Sequence, residues 1–358
     1  MSATWGRKIK FTIFGESHGT AIGGILDGIK AGTKIDFDKI DVEMKRRNHR
    51  AFYSTPRDEK DAYEILSGVK DGVATGSPIG FMIRNKDQHS GDYVNLNETP
   101  RPGHADYPAS VKYHGFNDYR GGGHFSGRIT APLTFAGSVA RQILEEEGIK
   151  IVSHIYSIGE VKSKSVLENP LTPEDMERLH SMEFPVLCEE TAKAMEEEIM
   201  THKTNCDSVG GVVECAVYGI KAGIGSPFFD SVESNLAHMM FSIPAVKGIE
   251  FGKGFDIAAM GGFEANDNYF VEDGKVITST NNNGGILGGI TTGMPIVFKV
   301  AIKPTPSVFK TQNTVNLTDM ANSEITLKGR HDACIVPRAA AVIEAATALC
   351  LADLMECE

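Results

Sequence analysis

Long apolar runs are missing from this chain, and so is any excess of positive charge. No stretch approaches the ~18 consecutive apolar residues of a membrane helix. Residues 1–7, MSATWGR, contain no apolar signal-peptide core. The expectation is a soluble, cytoplasmic protein with no membrane partner. The formal net charge of −11 argues against the broad basic face of a general nucleic-acid binder. It leaves room for a small anionic ligand, because screening limits the reach of distant charge and lets a local basic island act alone. Cysteine is sparse: Cys188, Cys206, Cys215, Cys334, Cys350 and Cys357 form no Cys-x-x-Cys pair, which argues against a zinc ribbon or a redox dithiol. Cys215 and Cys350 lie in apolar stretches and read as core, and Cys334 reads as packing. Pro/Ser-rich linkers and low-complexity tracts are absent too. So are the GxxxxGK[ST] phosphate loop, the dinucleotide fingerprint and HExxH, and no two of His18, His104, Asp106 and Asp332 have the i, i+4 spacing of helical metal ligands.

What is present is a 358-residue chain, 41% hydrophobic, which suffices to bury a sizeable core in one large domain or two ordinary ones. Residues 10–14, 79–83, 211–217 and 296–303 read as strands. In the last, Val297, Lys299 and Ala301 alternate with Ile296, Phe298, Val300 and Ile302, the pattern of a half-buried strand. Thr172-Pro173-Glu174-Asp175 starts a helix, with a cap and a first-turn proline. Residues 189–202, 138–147 and 338–355 read as further helices. The last is apolar nearly all round and should be buried. Strands and helices mix throughout, giving an α/β or α+β class. One interwoven domain over residues 1–358 is the expected organisation.

Chemistry is concentrated in glycine-bracketed islands. Phe14-Gly-Glu-Ser17-His18-Gly19 follows a strand; His18 is either a functional group at a strand end or a turn histidine satisfied by backbone. Arg101-Pro-Gly-His104-Ala-Asp106 places an anion-binding fork beside a histidine that Asp106 could orient; otherwise it is a surface turn. In Asp118-Tyr-Arg120-Gly-Gly-Gly123-His124-Phe125-Ser126-Gly127-Arg128, three glycines free the backbone to aim N–H groups at an anion, and a following helix would add its positive end. Lys45-Arg46-Arg47-Asn48-His49-Arg50 ends a helix-like segment and reads as solvated surface. Residues 284–293 are a glycine-rich turn region. Lys303-Pro304-Thr305-Pro306-Ser307 could grip phosphate or merely terminate a strand. Asp332, after Arg330-His331, is a helix cap or a proton relay.

Taken together, FGESHG (14–19), RPGHADY (101–107), DYRGGG (118–123), AVKGIEFG (245–252), GGILGGITTG (284–293), KPTPS (303–307) and GRHD (329–332) resemble the chorismate synthase family in content, order and spacing, over nearly the whole chain. The resemblance implies an α+β fold, a β-α-β sandwich with an internal pseudo-repeat in a single domain, assembled as a homotetramer. It implies trans-1,4 elimination of phosphate from 5-enolpyruvylshikimate 3-phosphate (EPSP) to give chorismate, with reduced FMN (FMNH2) as cofactor and no net redox change. NADPH would serve flavin reduction in some members. His18 would give a proton to the departing phosphate, His104 would serve the flavin near N1, and Asp332 would assist at N5. Ser17, Arg47, Arg101, Arg128 and Arg330 would hold the substrate. His124, Phe125, Ser126, Pro244, Ala245, Gly288, Lys303, Pro304, Thr305, Pro306, Ser307 and Arg330 would contact the flavin, and Arg47 matches a nicotinamide-nucleotide contact. The chain departs from the family at His124-Phe125, where arginine-serine is frequent, and at Pro244, where asparagine is frequent. Its 48–52 segment is about a residue shorter than usual, with Arg50 standing in for a further arginine. These departures touch flavin contacts more than the reaction. Two other readings compete: a flavin- or nucleotide-binding module without lyase chemistry, and a metal-dependent phosphohydrolase using the His/Asp set.

Overall fold

The computed structural model describes residues 3–48, 61–86, 96–327 and 332–357. Two five-stranded antiparallel sheets enclose a layer of helices. The first takes its strands, in spatial order, from Thr4–Trp5, Lys10–Gly15, Ala21–Asp27, Ile79–Arg84 and Tyr63–Ile65. The second orders Val246–Phe251, Ile296–Ile302, Gly211–Tyr218, Lys150–Ile158 and Val161–Lys162. Between them lie the helices Thr130–Glu146 and Val336–Glu356, packed on each other. Thr130–Glu146 leans on the first sheet and Val336–Glu356 on the second. The class is α+β, and the sandwich expected of the family is present. One apolar cluster runs from Phe11 and Phe81 of the first sheet, through Phe135 and Leu349 of the helices, to Val213 and Phe298 of the second.

The helices are buried almost all round, so small residues and satisfied hydroxyls dominate them. Thr134, Ser138 and Thr347 each donate to the carbonyl four residues back, at 3.0, 2.7 and 2.7 Å, which satisfies polar groups that burial would otherwise penalise. Gly137 sets the helix–helix distance: a Cβ there would lie 2.2 Å from the Ala345 carbonyl oxygen. The Phe135 ring seats Thr130–Glu146 on the first sheet, with its centroid 3.9 Å from that of Phe81.

Strands expected at 79–83 and 211–217 are present as Ile79–Arg84 and Gly211–Tyr218, and the acidic helix as Glu189–Thr204. Thr172 caps Pro173–Ser181 in a reciprocal capping box with Asp175. Three expectations need correction. The helix expected over 138–147 begins at Thr130; Pro132 and Gly137 hide its first two turns from a propensity reading, and tertiary burial holds them helical. Ile296–Ile302 alternates as expected but is not half-buried: Val297 is covered, because Val166 and Leu179 lie over the outer face of the second sheet. Finally, the basic run is not a solvated face. Lys45 is exposed, but Arg46 is largely enclosed and Arg47 is buried.

Arg46 joins Arg141, Glu43, Glu344 and His180 in a buried charge cluster linking four helices. Arg46 Nη1 lies 2.7 Å from Glu43 and 2.6 Å from Glu344, and Arg141 Nη1 lies 2.7 Å from Glu344. Ser153 adds its N–H and hydroxyl to Glu344, both at 2.8 Å. Burial alone would raise the Glu344 carboxyl, but Arg46 and Arg141 outweigh it and hold it far below the usual carboxylate range. Burial, then Arg46 and Arg141, push His180 below its ordinary value, against the opposing pull of Glu43 and Glu344. Glu344 is thus a depressed acid. Its stabilisation is complete above the ordinary glutamate value of about 4.3 and is lost as pH falls through the folded value. We therefore expect acid unfolding to set in below about pH 4. Glu344→Gln should lower stability at neutral pH by about 3–5 kcal/mol and flatten the acid limb, measured by urea denaturation across pH.

Candidate active site

The functional side chains sit where strands and helices of the sandwich end. Lys10–Gly15 pairs with Ala21–Asp27, and the connecting turn carries Ser17 and His18. Both are buried. Ser17 donates to the Arg120 carbonyl at 3.3 Å, which leaves its oxygen to accept from His18 Nδ1 at 3.1 Å. The imidazole is therefore anchored through Nδ1. The backbone N–H of Ser17 also donates to Gly123 at 3.1 Å, tying this turn to the triple-glycine loop.

That loop explains its own composition. Gly121 and Gly122 adopt φ of 60° and 97°, the left-handed region that glycine enters freely. A Cβ on Gly121 would lie 2.0 Å from His18 Cε1, and one on Gly122 would lie 3.1 Å from His104 Nε2. The two histidines, 86 positions apart in sequence, press on adjacent residues of one loop. Gly122 N–H is spent on Tyr119 at 3.3 Å. Close approach of imidazoles is thus the loop's demonstrable role. The helix expected after it is present, reached through a short 3-10 turn at Gly127–Ile129.

His104 is oriented from behind. Its Nδ1 lies 2.6 Å from Asp106, a contact short enough to assign the Nδ1 proton to that bond. Arg101 grips the same carboxylate through Nε at 2.7 Å and Nη2 at 2.8 Å. Burial would raise Asp106, but the bonds from Arg101 and His104 hold its carboxyl well below the usual range. Both readings of this island therefore resolve toward a built, buried device, with Asp106 orienting the imidazole.

Arg47 and Arg128 converge on Asp61. Arg47 Nη1 donates to Asp61 Oδ2 at 2.6 Å, and Arg128 Nη1 contacts the other oxygen. Arg47 Nε also donates to Thr130 at 3.1 Å, and Arg128 Nε to Asn85 at 2.9 Å. Asp332 accepts from Arg338 Nη1 at 3.0 Å and does not serve as the cap of Val336–Glu356. After Ile296–Ile302 the chain enters the 303–307 strap. The Lys303 ammonium reaches the Gly103 carbonyl, and Ser208 donates to the Thr305 carbonyl at 2.7 Å. Burial and then Lys247 push Lys303 below its ordinary value. Ala245 takes a φ of 75°, rare outside glycine, and its carbonyl accepts from Lys303 N–H at 3.0 Å.

These elements border one cleft of about 1160 Å³. His104, Asp332, Arg47, Arg101 and Arg128 line it, as do His124, Phe125, Ser126, Pro244, Ala245, Lys303, Thr305, Pro306 and Ser307. His124 donates through Nδ1 to the Gly15 carbonyl, 2.9 Å away. Ser17 and His18 stand behind the lining at Gly121. Pro304 is flanked by lining residues but is not one. Gly288 occupies the turn between Ile286–Leu287 and Ile290–Thr291 and does not line the cleft. Arg330, and with it His331, His49 and Arg50, fall outside the described residues. Sequence reasoning missed Asp61, Asn85 and Arg338, which lie outside the quoted islands, and Lys247, which lies within AVKGIEFG without any local sign of its role. Among the described residues, the cluster with metal-like spacing is Glu43–His180–Glu344, away from this cleft and engaged by Arg46 and Arg141. No described helix is long and apolar enough to cross a membrane.

A helical sandwich whose cleft combines oriented imidazoles, clustered guanidinium groups and apolar walls defines an enzyme acting on a small anionic ligand. Comparison with known proteins makes the class specific. The model of the chorismate synthase family matches residues 9–355. Chorismate synthases of Pyrococcus abyssi and Thermococcus kodakarensis are 48% and 45% identical to the chain over 349 residues, covering 97% of this chain and 96% of each relative. A crystal structure of chorismate synthase superposes with a TM-score of 0.76 at 32% identity, covering 98% of this chain and 92% of that one. The chain belongs to the chorismate synthase family.

Gly121→Ala tests the contact between the loop and His18. The added methyl would force the ring aside, so turnover should fall by about 10²-fold while the fold persists, as read by rate and by the His18 ring proton shifts. Normal turnover with a displaced ring would remove His18 from the chemistry.

Proposed function

We propose that this cleft holds reduced FMN and EPSP side by side, with His18, His104 and Asp332 managing protons. The family reaction removes the 3-phosphate and a C6 hydrogen from EPSP to give chorismate and phosphate, a carbon–oxygen lyase reaction. The observation that carries the site assignment is the seating of His18 and His104 against adjacent glycines. A binding module would need neither imidazole, and a phosphohydrolase would need its metal cluster here.

The residues fit a flavin. Ile129, Leu133, Ile335 and Val342 supply apolar wall. The cleft exceeds the ~300–1,000 Å³ of one small-molecule site, leaving room for two ligands. Thr305 Oγ1 is buried without a hydrogen-bond partner among the described residues, and Lys303 stands beside it with Ser307 further along the strap. His124, Phe125, Ser126, Pro244, Ala245 and the 303–307 strap would hold the cofactor; Gly288 is given no contact. Reduced flavin, when bound, supplies transient electron density that loosens the allylic carbon–oxygen bond.

The chain supplies the rest. Arg47, Arg101 and Arg128 neutralise the phosphate and carboxylates of the substrate, a charge no neutral pocket would hold. Arg330 carries the same assignment from resemblance alone. His18, fixed through Nδ1 by Ser17, keeps Nε2 to donate a proton to the departing phosphate oxygen. His104, fixed through Nδ1 by Asp106, keeps Nε2 beside Gly122 to hold or release a proton. Asp332, steadied by Arg338, offers a carboxylate as proton acceptor.

We propose further that residues 1–358 form a single catalytic domain with two repeated halves, supported by the continuous core and the two five-stranded sheets. A cytoplasmic homotetramer follows from the family resemblance. Phe228, Phe229, Phe255 and Phe263, each at least 83% exposed in the isolated chain, are apolar surface of the kind an assembly covers. Sedimentation should give a species of four chains.

The decisive assay is anaerobic phosphate release from EPSP with chemically reduced FMN. We expect turnover, unaffected by chelator, and a loss of about 10²–10⁴-fold for His18→Ala and for His104→Ala. Unchanged rates in both variants would defeat the assignment. Loss with chelator but none on flavin removal would favour the phosphohydrolase. The same assay with NADPH and oxidised FMN reads whether the chain reduces its own flavin.

A further inference from the structure

We propose that Asp61 is a positioning residue of the substrate site, holding Arg47 and Arg128 side by side as one anion receptor. This rests on the reading above that both arginines meet the substrate's anionic groups.

Three elements meet at this carboxylate. Arg47 closes the helix Phe37–Arg47, Arg128 lies in the turn Gly127–Ile129, and Asp61 precedes the strand Tyr63–Ile65. The Asp61 side chain has no exposure, and the backbone bends into a φ of 48° at this residue. Its two oxygens are divided between the guanidinium groups, one each. Each guanidinium is fixed a second time from another side: Arg47 Nη2 donates to the Gly127 carbonyl at 3.2 Å, and Arg128 Nε to Asn85. The planes of both groups are therefore set, not merely their charges.

Asp61 does not line the cleft, whereas both arginines do. It stands behind them and can reach a substrate only through them. Two adjacent cations with no acid behind them would repel and diverge; with one carboxylate between them they stay in register. Arg46 makes the contrast. One residue earlier on the same helix, it is held by Glu43 and Glu344 and faces away from the cleft. Securing the helix end is thus already accomplished without Asp61.

The test uses the full-length protein with EPSP and FMN, after wild-type turnover is confirmed; its absence would sink the functional reading and leave Asp61 out of the account. Asp61→Asn keeps the shape and removes the charge. We expect KM for EPSP to rise at least about tenfold, with kcat changed much less, a split that marks lost substrate positioning. FMN affinity, followed by flavin fluorescence, should stay within about twofold. In Asp61→Ala, added formate should restore part of the lost affinity, because it can bridge the same two guanidinium groups, while chloride should not. Should Asp61→Asn fail to fold, Asp61→Glu keeps the charge on a longer arm and should still raise KM by displacing both arginines. Wild-type KM in a folded Asn or Glu variant overturns the proposal. So does a parallel loss of FMN and EPSP affinity, which would make Asp61 a general structural residue.

Discussion

A guanidinium group taken out of water must meet opposite charge, since breaking a buried pair costs about 3–5 kcal/mol, and this requirement arranges both the core and the cleft. Arg46 and Arg141 meet Glu43 and Glu344 between the helices. Arg101 meets Asp106, and Arg47 and Arg128 share Asp61. Because an acid stands behind each of these cations, a chain of net charge −11 can still turn guanidinium groups toward a small anion. The helix Phe37–Arg47 carries both versions on neighbouring residues, Arg46 for the core and Arg47 for the cleft. Structural and binding charges are therefore mechanically linked through one helix end.

A second constraint is steric. The loop at 121–123 passes between two imidazoles, and only glycine has room there. His18 gains its fixed Nδ1 contact from Ser17, and His104 from Asp106. Proton-bearing groups from two remote loops are thus brought together by one backbone segment rather than by contact with each other.

Much of this was legible in local pattern. Short apolar runs marked the 79–83 and 211–217 strands, a capping signature marked Pro173–Ser181, and a helical segment apolar nearly all round marked Val336–Glu356. Glycine-bracketed histidines marked the site, and the order of seven islands marked the family. What stayed hidden depends on partners far away in the chain. Asp61 is one acid among 47 acidic residues until the fold sets it against Arg47 and Arg128. Arg46 looked like a solvated helix end because Glu344, its partner, is 298 positions distant. The start of Thr130–Glu146 was hidden because proline and glycine speak against helix locally, while burial on every side speaks for it. Val297 looked like the outer residue of a half-buried strand because the cover over it comes from Val166 and Leu179.

The position of His18 shows how the two constraints combine. Its ring is 2% exposed and stands behind the cleft surface, which would normally disqualify a proton donor. The residue in front of it is Gly121, which has no side chain to close the gap. The missing side chain leaves room for the Cε1–Nδ1 edge of the ring and for the Ser17 hydroxyl bonded to it. A glycine at 121 is therefore required twice over, by the left-handed backbone that shapes the loop and by the imidazole packed against it.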